Sequence, residues 1–267
     1  MNDHQYLHRP CHPGDPICFD LDSSPPIPHI RGGSVEHRDL TLVAGDGTEF
    51  AAFEAVAGSG PAVVVLPDVR GLFSFYEELA LRLAEHGTDA IAIDYFGRTA
   101  GVSKRDADFD FWPQVDATTL AGVTADVTAA VEHVRANQPN RPIFVLGFCF
   151  GGSNSWYMAA AGLGLAGAIG FYGHPDREGF PKEAPTVMSL IPEFSCPVLA
   201  LQGGDDAGIP VEVDTAFADA ITSHGKDGEV VVYDGAPHSF FDRKSEEFAE
   251  ASADAWTRIQ RFLADHS

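Results

Sequence analysis

Short apolar segments alternate with segments of helical periodicity along most of the chain. The apolar segments predict strands, and runs such as residues 62–66 (AVVVL) are typical of strands buried on both faces of a sheet. The predicted strands span residues 62–66, 89–94, 142–146, 166–171, 197–201 and 229–233, and the predicted helices span residues 75–86, 115–137, 150–161, 211–223 and 245–264. Strand and helix alternate at least five times, which predicts an α/β fold with a mostly parallel central sheet and helices on both faces.

The regions outside this alternation predict three further features. Residues 34–43 and 48–56 predict a strand pair joined by a tight turn. The polar and aromatic residues 101–112 predict a long loop. Residues 1–34 are rich in Pro, His, Asp and Gly without a period of two or 3.6, so they predict an irregular N-terminal arm, either mobile or wrapped on the domain. We expect residues 35–267 to form a single domain.

Composition narrows the classes of partner and the compartment. The chain has 267 residues, with 39 acidic against 17 basic side chains and a formal net charge of −22. Because such a surface repels phosphate and anionic lipid, we expect neither nucleic acid nor a membrane as partner. The sequence has no apolar stretch of about 18 residues and no signal-peptide pattern at its N-terminus. The four cysteines lack the spacing of a disulfide framework, so we expect a cytoplasmic protein with reduced thiols.

The segment Gly147-Phe148-Cys149-Phe150-Gly151-Gly152 carries the strongest chemical signal. It follows a predicted strand and opens a predicted helix, the context of a nucleophile elbow with Cys in the place that Ser usually holds. A tight strand-to-helix turn has no room for side chains at its flanking positions, which explains the glycines. The helix N-terminus favours a thiolate and offers N–H groups to a developing oxyanion. Cys149 is therefore the predicted nucleophile.

Two further groups follow strands in the order that a catalytic triad requires. His238 lies between the last predicted strand and the last predicted helix, where a general base belongs in a hydrolase of this architecture. His174, in another loop after a strand, is its one serious rival. Asp205 and Asp206 follow the penultimate strand, and either could orient the base through its other nitrogen. The chain order Cys, Asp, His is that of the α/β-hydrolase fold, so we predict a Cys-His-Asp triad.

With these motifs the chain resembles the dienelactone hydrolases (carboxymethylenebutenolidases) over about residues 35–265. The family motif G-x-C-x-G-G matches residues 147–152, and its H-S-F or H-G-F matches residues 238–240. Its G-G-x-D-x-x-x-P matches residues 203–210 and selects Asp206 over its neighbour. The resemblance implies one α/β-hydrolase domain that hydrolyses a small ester or lactone without metal or cofactor. The triad that it implies is Cys149, His238 and Asp206.

The resemblance also implies residues around the nucleophile. The family usually carries a Glu just after its first core strand, which interacts with the thiol and helps to control its activation. Asp68, one methylene shorter, takes that position here. The backbone N–H groups of Val69 and Phe150 are the implied oxyanion hole. The family's D-x-x-x-R matches residues 94–98, so Arg98 is the implied ligand of a substrate carboxylate, a task that suits the paired donors of a guanidinium.

The expected pocket departs from the family pattern. A second carboxylate-binding Arg lies four residues after the His in the dienelactone hydrolases proper, whereas this chain has Asp242 there and Arg243 one residue further on. We expect the loop 106–113 (DADFDFWP) to cover the pocket, with Trp112 as a substrate-binding residue and with acids that disfavour a strongly anionic substrate. Tyr172 is the other expected lining residue.

The leading hypothesis is a Cys-dependent hydrolase, a monomer or small homo-oligomer, that forms an acyl-thioester from a small-molecule ester or lactone. Two alternatives stay open. A glutamine-amidotransferase-like enzyme also uses a G-x-C-x-G elbow but typically places a Glu two residues after the His, where this chain has Phe240. A non-catalytic hydrolase-fold binding module is the other alternative. Cys11, Cys18 and the histidines of the arm match no zinc spacing, so no metal is expected.

Overall fold

The computed structural model describes residues 23–30 and 35–267 of the chain. Within these residues, eight strands form one sheet. They are β1 (Glu36–Val43), β2 (Glu49–Val56), β3 (Ala62–Leu66), β4 (Asp89–Ile93), β5 (Ile143–Phe148), β6 (Gly167–Phe171), β7 (Val198–Gly203) and β8 (Gly228–Tyr233). Every residue of β3, β5, β6 and β7 is buried, which is why these strands appear in the sequence as continuous apolar runs.

The strand order is β1-β2-β4-β3-β5-β6-β7-β8. β1 pairs antiparallel with β2 and β2 with β4, whereas all other neighbouring strands run parallel. This arrangement confirms the predicted α/β fold with a mostly parallel sheet. The carboxyl ends of β3 to β8 meet at one edge, so the loops that carry the candidate catalytic residues share that edge.

Helices cover both faces of the sheet. They are α1 (Ser74–Glu85), α2 (Gly97–Ala100), α3 (Trp112–Ala117), α4 (Leu120–Asn137), α5 (Phe150–Ala160), α6 (Val187–Leu190), α7 (Val211–Ser223) and α8 (Ala249–Asp265). Successive residues of β3 face opposite clusters, with Val64 among the side chains of α4, α5 and α7 and Val63 among those of α1 and α8. Each such fully buried side chain stabilises the fold by roughly 1.5–3 kcal/mol before entropy is counted.

The segment between β4 and β5 differs most from its prediction. The predicted helix 115–137 is two helices, because Thr118 is extended at φ −72° and ψ 127° and separates α3 from α4. Thr119 caps α4, its hydroxyl oxygen accepting the N–H of Gly122 at 3.1 Å. The short helices α2 and α6 were not predicted, since four residues are too few to show a helical period.

Part of the predicted N-terminal arm, residues 23–30, lies against α1. Ile27 is buried in the same cluster as the apolar side chains of α1, and Nε2 of His86 lies 2.8 Å from the carbonyl oxygen of Pro28. The predictions made for Cys11, Cys18 and the remainder of the arm fall on residues 1–22 and 31–34, outside the described residues. Across the described part of the chain, no helix is both long enough and apolar enough to cross a membrane.

Candidate active site

Cys149 forms the turn between β5 and α5, and its thiol is partly exposed. Its backbone lies at φ 54° and ψ −111°, a strained combination for a residue with a side chain. A Cβ atom on Gly147 would lie only 1.8 Å from the carbonyl oxygen of Gly151, so the turn has room for glycine alone at this position. The amide of Cys149 donates to the carbonyl oxygen of Phe171 at 3.0 Å, which ties the elbow to β6.

His238 and Asp206 form a direct ion-pair contact at the same sheet edge. Nδ1 of His238 lies 2.6 Å from Oδ2 of Asp206, whose side chain is almost fully buried. The other carboxylate oxygen of Asp206 accepts the N–H of Gly208 at 2.8 Å. Asp205 is exposed, so Asp206 is the acid that orients the imidazole. With Nδ1 turned to the carboxylate, Nε2 is the nitrogen left to face a nucleophile.

The electrostatics of the pair favour a charged imidazole beside Cys149. Burial lowers the pKa of His238, but the charge of Cys149 and hydrogen bonds to Asp206 and Cys149 outweigh burial and raise that pKa well above its usual range. Burial alone would raise the pKa of Asp206, but the hydrogen bond and charge of His238, together with the backbone N–H groups of Gly208 and Ile209, outweigh burial and lower that pKa. The structure therefore brings the three predicted triad residues together, with His238 bonded to Asp206 and within electrostatic range of Cys149.

The loop after β3 packs closely against the elbow. A Cβ atom on Gly151 would lie 2.1 Å from the carbonyl oxygen of Leu66, so the first turn of α5 packs directly on the end of β3. Within the described residues, the backbone N–H groups of Val69 and Phe150 donate to no protein acceptor. The hydroxyl of Tyr95 donates to the carbonyl oxygen of the residue before Val69 at 2.9 Å and so fixes this loop.

Asp68 lies in a buried polar cluster just after β3, in the loop that packs on the elbow. Its Oδ2 accepts the hydroxyl of Tyr76 at 2.8 Å, and its Oδ1 accepts the backbone N–H of Arg70 at 2.7 Å. Burial and the neighbouring charge of Asp68 raise the pKa of Asp242 to about 6. Asp242, the residue in place of the second family Arg, therefore adds a second carboxyl group near Asp68, which also has Nε of Arg70 at 3.5 Å. The ring of the buried Tyr172 lies 4.8 Å from that of His238, beside the triad.

Arg98 has partners that the resemblance did not anticipate. Its Nη2 lies 2.7 Å from Oδ1 of the buried Asp126 on α4, and its Nη1 contacts Asp46 and, at 2.9 Å, the hydroxyl of Thr48. The side chain is only 20% exposed. Because the guanidinium donors are already used between α2, α4 and the β1–β2 turn, the geometry disagrees with the expected role of Arg98 as a carboxylate ligand for substrate.

The other predicted residues are placed as follows. Trp112 begins α3 and packs on Phe111 at 5.1 Å between ring centroids, and the structure gives it no contact with the triad. His174, the rival base, has Nδ1 at 2.8 Å from Asp176 and Nε2 at 2.9 Å from the carbonyl oxygen of Gly208. Its two nitrogens are thus engaged by neighbouring loops.

Three residues that the sequence reasoning missed surround the elbow. Tyr76 holds Asp68, and Tyr95 holds the loop after β3. The guanidinium of Arg177 lies 4.0 Å over the ring of Phe180, in the loop after β6. A signal for Arg177 was available, since loops that follow parallel strands form ligand sites in such sheets. No sequence signal marked Tyr76 or Tyr95, because each acts through a hydrogen bond to a residue outside its own helix or loop.

Known proteins share this sequence pattern and this fold. A profile of the dienelactone hydrolase family matches residues 50–267. A protein provisionally named carboxymethylenebutenolidase from Salmonella typhimurium is 27% identical over 258 residues, which cover 91% of this chain and 92% of that protein. The structure of a dienelactone hydrolase-like promiscuous phosphotriesterase from metagenomic libraries is 24% identical with a TM-score of 0.72, covering 88% of this chain and 99% of that one. A Pyrococcus furiosus esterase is 19% identical with a TM-score of 0.65, covering 91% and 99%.

The two solved structures are less than 25% identical to this chain, so they establish its fold alone. The family profile establishes family membership as well, because it covers most of the chain and its span includes the elbow, the acid and the base. The resemblance recognised from the three motifs is therefore confirmed. The chain belongs to the dienelactone hydrolase family.

Proposed function

We propose that the protein hydrolyses a small carboxylic ester or lactone with Cys149 as nucleophile, His238 as general base and Asp206 as the acid that orients it. One observation carries this proposal. The imidazole of His238 contacts Asp206 through Nδ1 at 2.6 Å, and its pKa is raised by Cys149, which sits in a strained elbow at the N-terminus of α5. A histidine held between a carboxylate and a thiol is the arrangement that activates a cysteine nucleophile.

The proposed reaction has two halves. The sulfur of Cys149 attacks the carbonyl carbon while its proton resides on His238, and the N–H groups of Val69 and Phe150 stabilise the oxyanion. The tetrahedral intermediate collapses as His238 gives its proton to the leaving alcohol oxygen, which forms an acyl-thioester. Water then attacks the thioester carbonyl, His238 accepts a proton from that water, and Cys149 leaves with the carboxylic acid released. A lactone follows the same steps, with the alcohol still attached to the acyl chain.

We further propose that Asp68 restrains the thiol until substrate binds. Asp68 is buried and bonded to Tyr76, and the charges of both Asp68 and Cys149 act on the pKa of Tyr95, which burial raises well above its usual range. A buried carboxylate in the loop that packs on the elbow repels negative charge, in competition with the N-terminus of α5, which attracts it. Binding of substrate would favour the thiolate, because the electrophilic carbonyl carbon interacts with the sulfur anion.

The experiment that tests this function compares two cysteine variants. Cys149→Ala should abolish hydrolysis of p-nitrophenyl acetate and p-nitrophenyl butyrate while circular dichroism shows a folded protein. Cys196→Ala is the matched control, since Cys196 is buried and its pKa is raised by burial to about 11. Wild-type turnover by Cys149→Ala would refute the proposal, and so would loss of activity in Cys196→Ala with Cys149→Ala unaffected.

Turnover also separates this proposal from the two alternatives. A binding module would hydrolyse neither ester. An amidotransferase-like enzyme would release ammonia from glutamine, yet the position where such enzymes carry a Glu is Phe240, which is fully buried against Phe171 and Tyr172. We propose a cytoplasmic monomer or small homo-oligomer, to be tested by fractionation and by sedimentation.

A further inference from the structure

Arg177 stands at the rim of the candidate active site. Its guanidinium lies 4.0 Å from the ring centroid of Phe180, and that ring in turn packs on Phe150 at 4.7 Å between centroids. Phe150 directly follows the nucleophile and supplies one of the two proposed oxyanion donors. These contacts form a short series from the cation to the reacting centre. Arg177 thus lies within reach of a group carried by a bound substrate.

In the described part of the chain, Arg177 also forms no ion pair with a carboxylate. Among residues 23–30 and 35–267, no carboxylate lies within ion-pair distance of its guanidinium, although the side chain is partly buried. Arg98 and Arg105, by contrast, contact Asp126 and Asp94 at 2.7 and 2.6 Å. Leaving a half-buried cation without a partner costs free energy, which a bound anion would recover.

The charges around Arg177 are consistent with an anion site beside the thiol. Burial lowers the pKa of Arg177, and the charges of Cys149 and Asp116 partly offset that effect, so both groups lie within electrostatic range. Asp116 is exposed on α3. The three acids of the loop 106–113 are also exposed, and none of them makes an ion pair with Arg177.

We propose that Arg177 binds a carboxylate of the substrate, so that the protein prefers esters or lactones carrying a second, anionic group. This inference rests on the proposed hydrolase function. The guanidinium offers two parallel N–H donors that match a carboxylate, and the ring of Phe180 holds its plane. Arg177 thereby supplies the recognition that the engaged Arg98 and the substituted Asp242 do not.

Two esters that differ in a single group test the proposal. Mono-4-nitrophenyl glutarate and 4-nitrophenyl valerate have acyl chains of equal length and the same leaving group, and only the first ends in a carboxylate. Arg177→Gln should raise KM for the glutarate ester by roughly 10- to 100-fold, the worth of a charge-assisted hydrogen bond. KM for the valerate ester should change by less than about twofold. Arg177→Lys, which keeps the charge without the paired donors, should fall between.

A control and a complementary variant sharpen the comparison. Arg261→Gln changes the net charge equally but lies at an exposed position of α8, and it should alter neither KM. Asp116→Asn removes a carboxylate whose charge acts on Arg177. Because that carboxylate would compete with the substrate anion, the variant should lower KM for the glutarate ester alone. Equal losses with both esters in Arg177→Gln, or no change with either, would overturn the proposal.

Binding of free glutarate keeps this test independent of turnover. Isothermal titration should give saturable binding to the wild type and to Cys149→Ala, and none to Arg177→Gln. If the wild type hydrolyses neither ester but glutarate binding still requires Arg177, the hydrolase proposal fails and the anion site stands. If the esters are hydrolysed but glutarate binds wild type and Arg177→Gln alike, the anion site fails and the hydrolase proposal stands.

Discussion

The hydroxyl of Tyr95 donates a hydrogen bond to the carbonyl oxygen of Asp68 at 2.9 Å, and it also contacts the carbonyl oxygen of Pro67. Tyr95 follows β4, whereas the other two residues follow β3, so one side chain ties neighbouring loops together at the active-site edge. Its ring also meets that of Phe150 edge-on, 5.4 Å away. Tyr95 therefore positions both halves of the proposed oxyanion hole.

Replacing Tyr95 by Phe should slow catalysis more than it weakens binding. The loss of the hydroxyl frees the loop that carries Val69, so kcat should fall about tenfold or more with little change in KM, as expected when an oxyanion donor is displaced. The carbonyl oxygen of Asp68 keeps the N–H of Gly71 at 3.2 Å, so only that of Pro67 loses its donor, and the free energy of unfolding should fall by about 1–3 kcal/mol. Steady-state kinetics and urea unfolding measure the two effects.

Tyr157→Phe is the matched control for that change. Its hydroxyl also donates to a backbone carbonyl, that of Pro185 at 2.6 Å, but it lies on α5 away from the triad. It should lose stability by a similar amount and keep its kcat. If both variants lose kcat equally, the effect of Tyr95 is general destabilisation and its positioning role is wrong.

Asp206→Asn should leave the fold intact and remove most of the activity. An amide cannot stabilise the imidazolium of His238 as a carboxylate does, and it can hold the ring in the wrong tautomer, so kcat should fall on the order of 10³-fold. Asp205→Asn, at the adjacent exposed position, should retain kcat within about twofold. A reversed result would assign the orienting role to Asp205.

Asp242 should make the protein less stable as the pH rises from about 4 to about 6. Its pKa is raised from 3.8 to about 6, first by burial and then by Asp68. The unfolded chain therefore loses this proton before the folded one does, and ionising the group in the folded state costs on the order of 2–3 kcal/mol, a cost fully present above pH 6. His238 and the backbone N–H of Arg243 act in the opposite direction and are included in this value.

Asp242→Asn should therefore gain stability relative to the wild type as the pH is raised from 4 to 7. Urea unfolding at several pH values measures the difference in free energy between the two proteins. Asp234→Asn, an exposed position in the same β8–α8 connection, should give a difference that does not change with pH. A flat difference for Asp242→Asn as well would show that the Asp68–Asp242 pair carries no such cost.

Arg98→Gln should affect stability rather than substrate choice. Asp126 is fully buried, and burial raises its pKa to about 6 even with Arg98 beside it. Removing the cation strands this carboxyl group, so the free energy of unfolding should fall by about 2–4 kcal/mol, and Asp126→Asn in the same chain should restore part of it. The ratio of kcat/KM for the glutarate and valerate esters should not change. A selective loss with the glutarate ester would return Arg98 to its originally expected role.

The strands were predictable because burial on both faces produces continuous apolar runs. The run at 62–66 coincides with β3, whose residues are all buried, and the run at 229–233 falls within one residue of β8, an edge strand that is only partly buried. The break within 115–137 was not predictable from periodicity, since apolar residues continue across it, and only the cap formed by Thr119 marks the new helix.

The order of the triad residues was predictable for a similar reason, because strand ends in a parallel sheet meet at one edge. Contacts between segments that are distant in the sequence were not predictable in this way. The sequence marks Arg98 as a possible ligand, and nothing near it announces Asp126, which lies 28 residues away. The position of Arg177 in a loop after a parallel strand marked it as a possible ligand, but only the folded chain shows, among its described residues, that no carboxylate pairs with it.

Trapping the acyl-enzyme tests the central claim most directly. The wild-type protein is mixed with p-nitrophenyl acetate, quenched in acid during the first turnover, digested and analysed by mass spectrometry. We predict one acetyl group on the peptide that contains Cys149 and none on the peptide that contains Cys196. Turnover with no acetylated Cys149, or with the acetyl group on another residue, would contradict the nucleophile assignment.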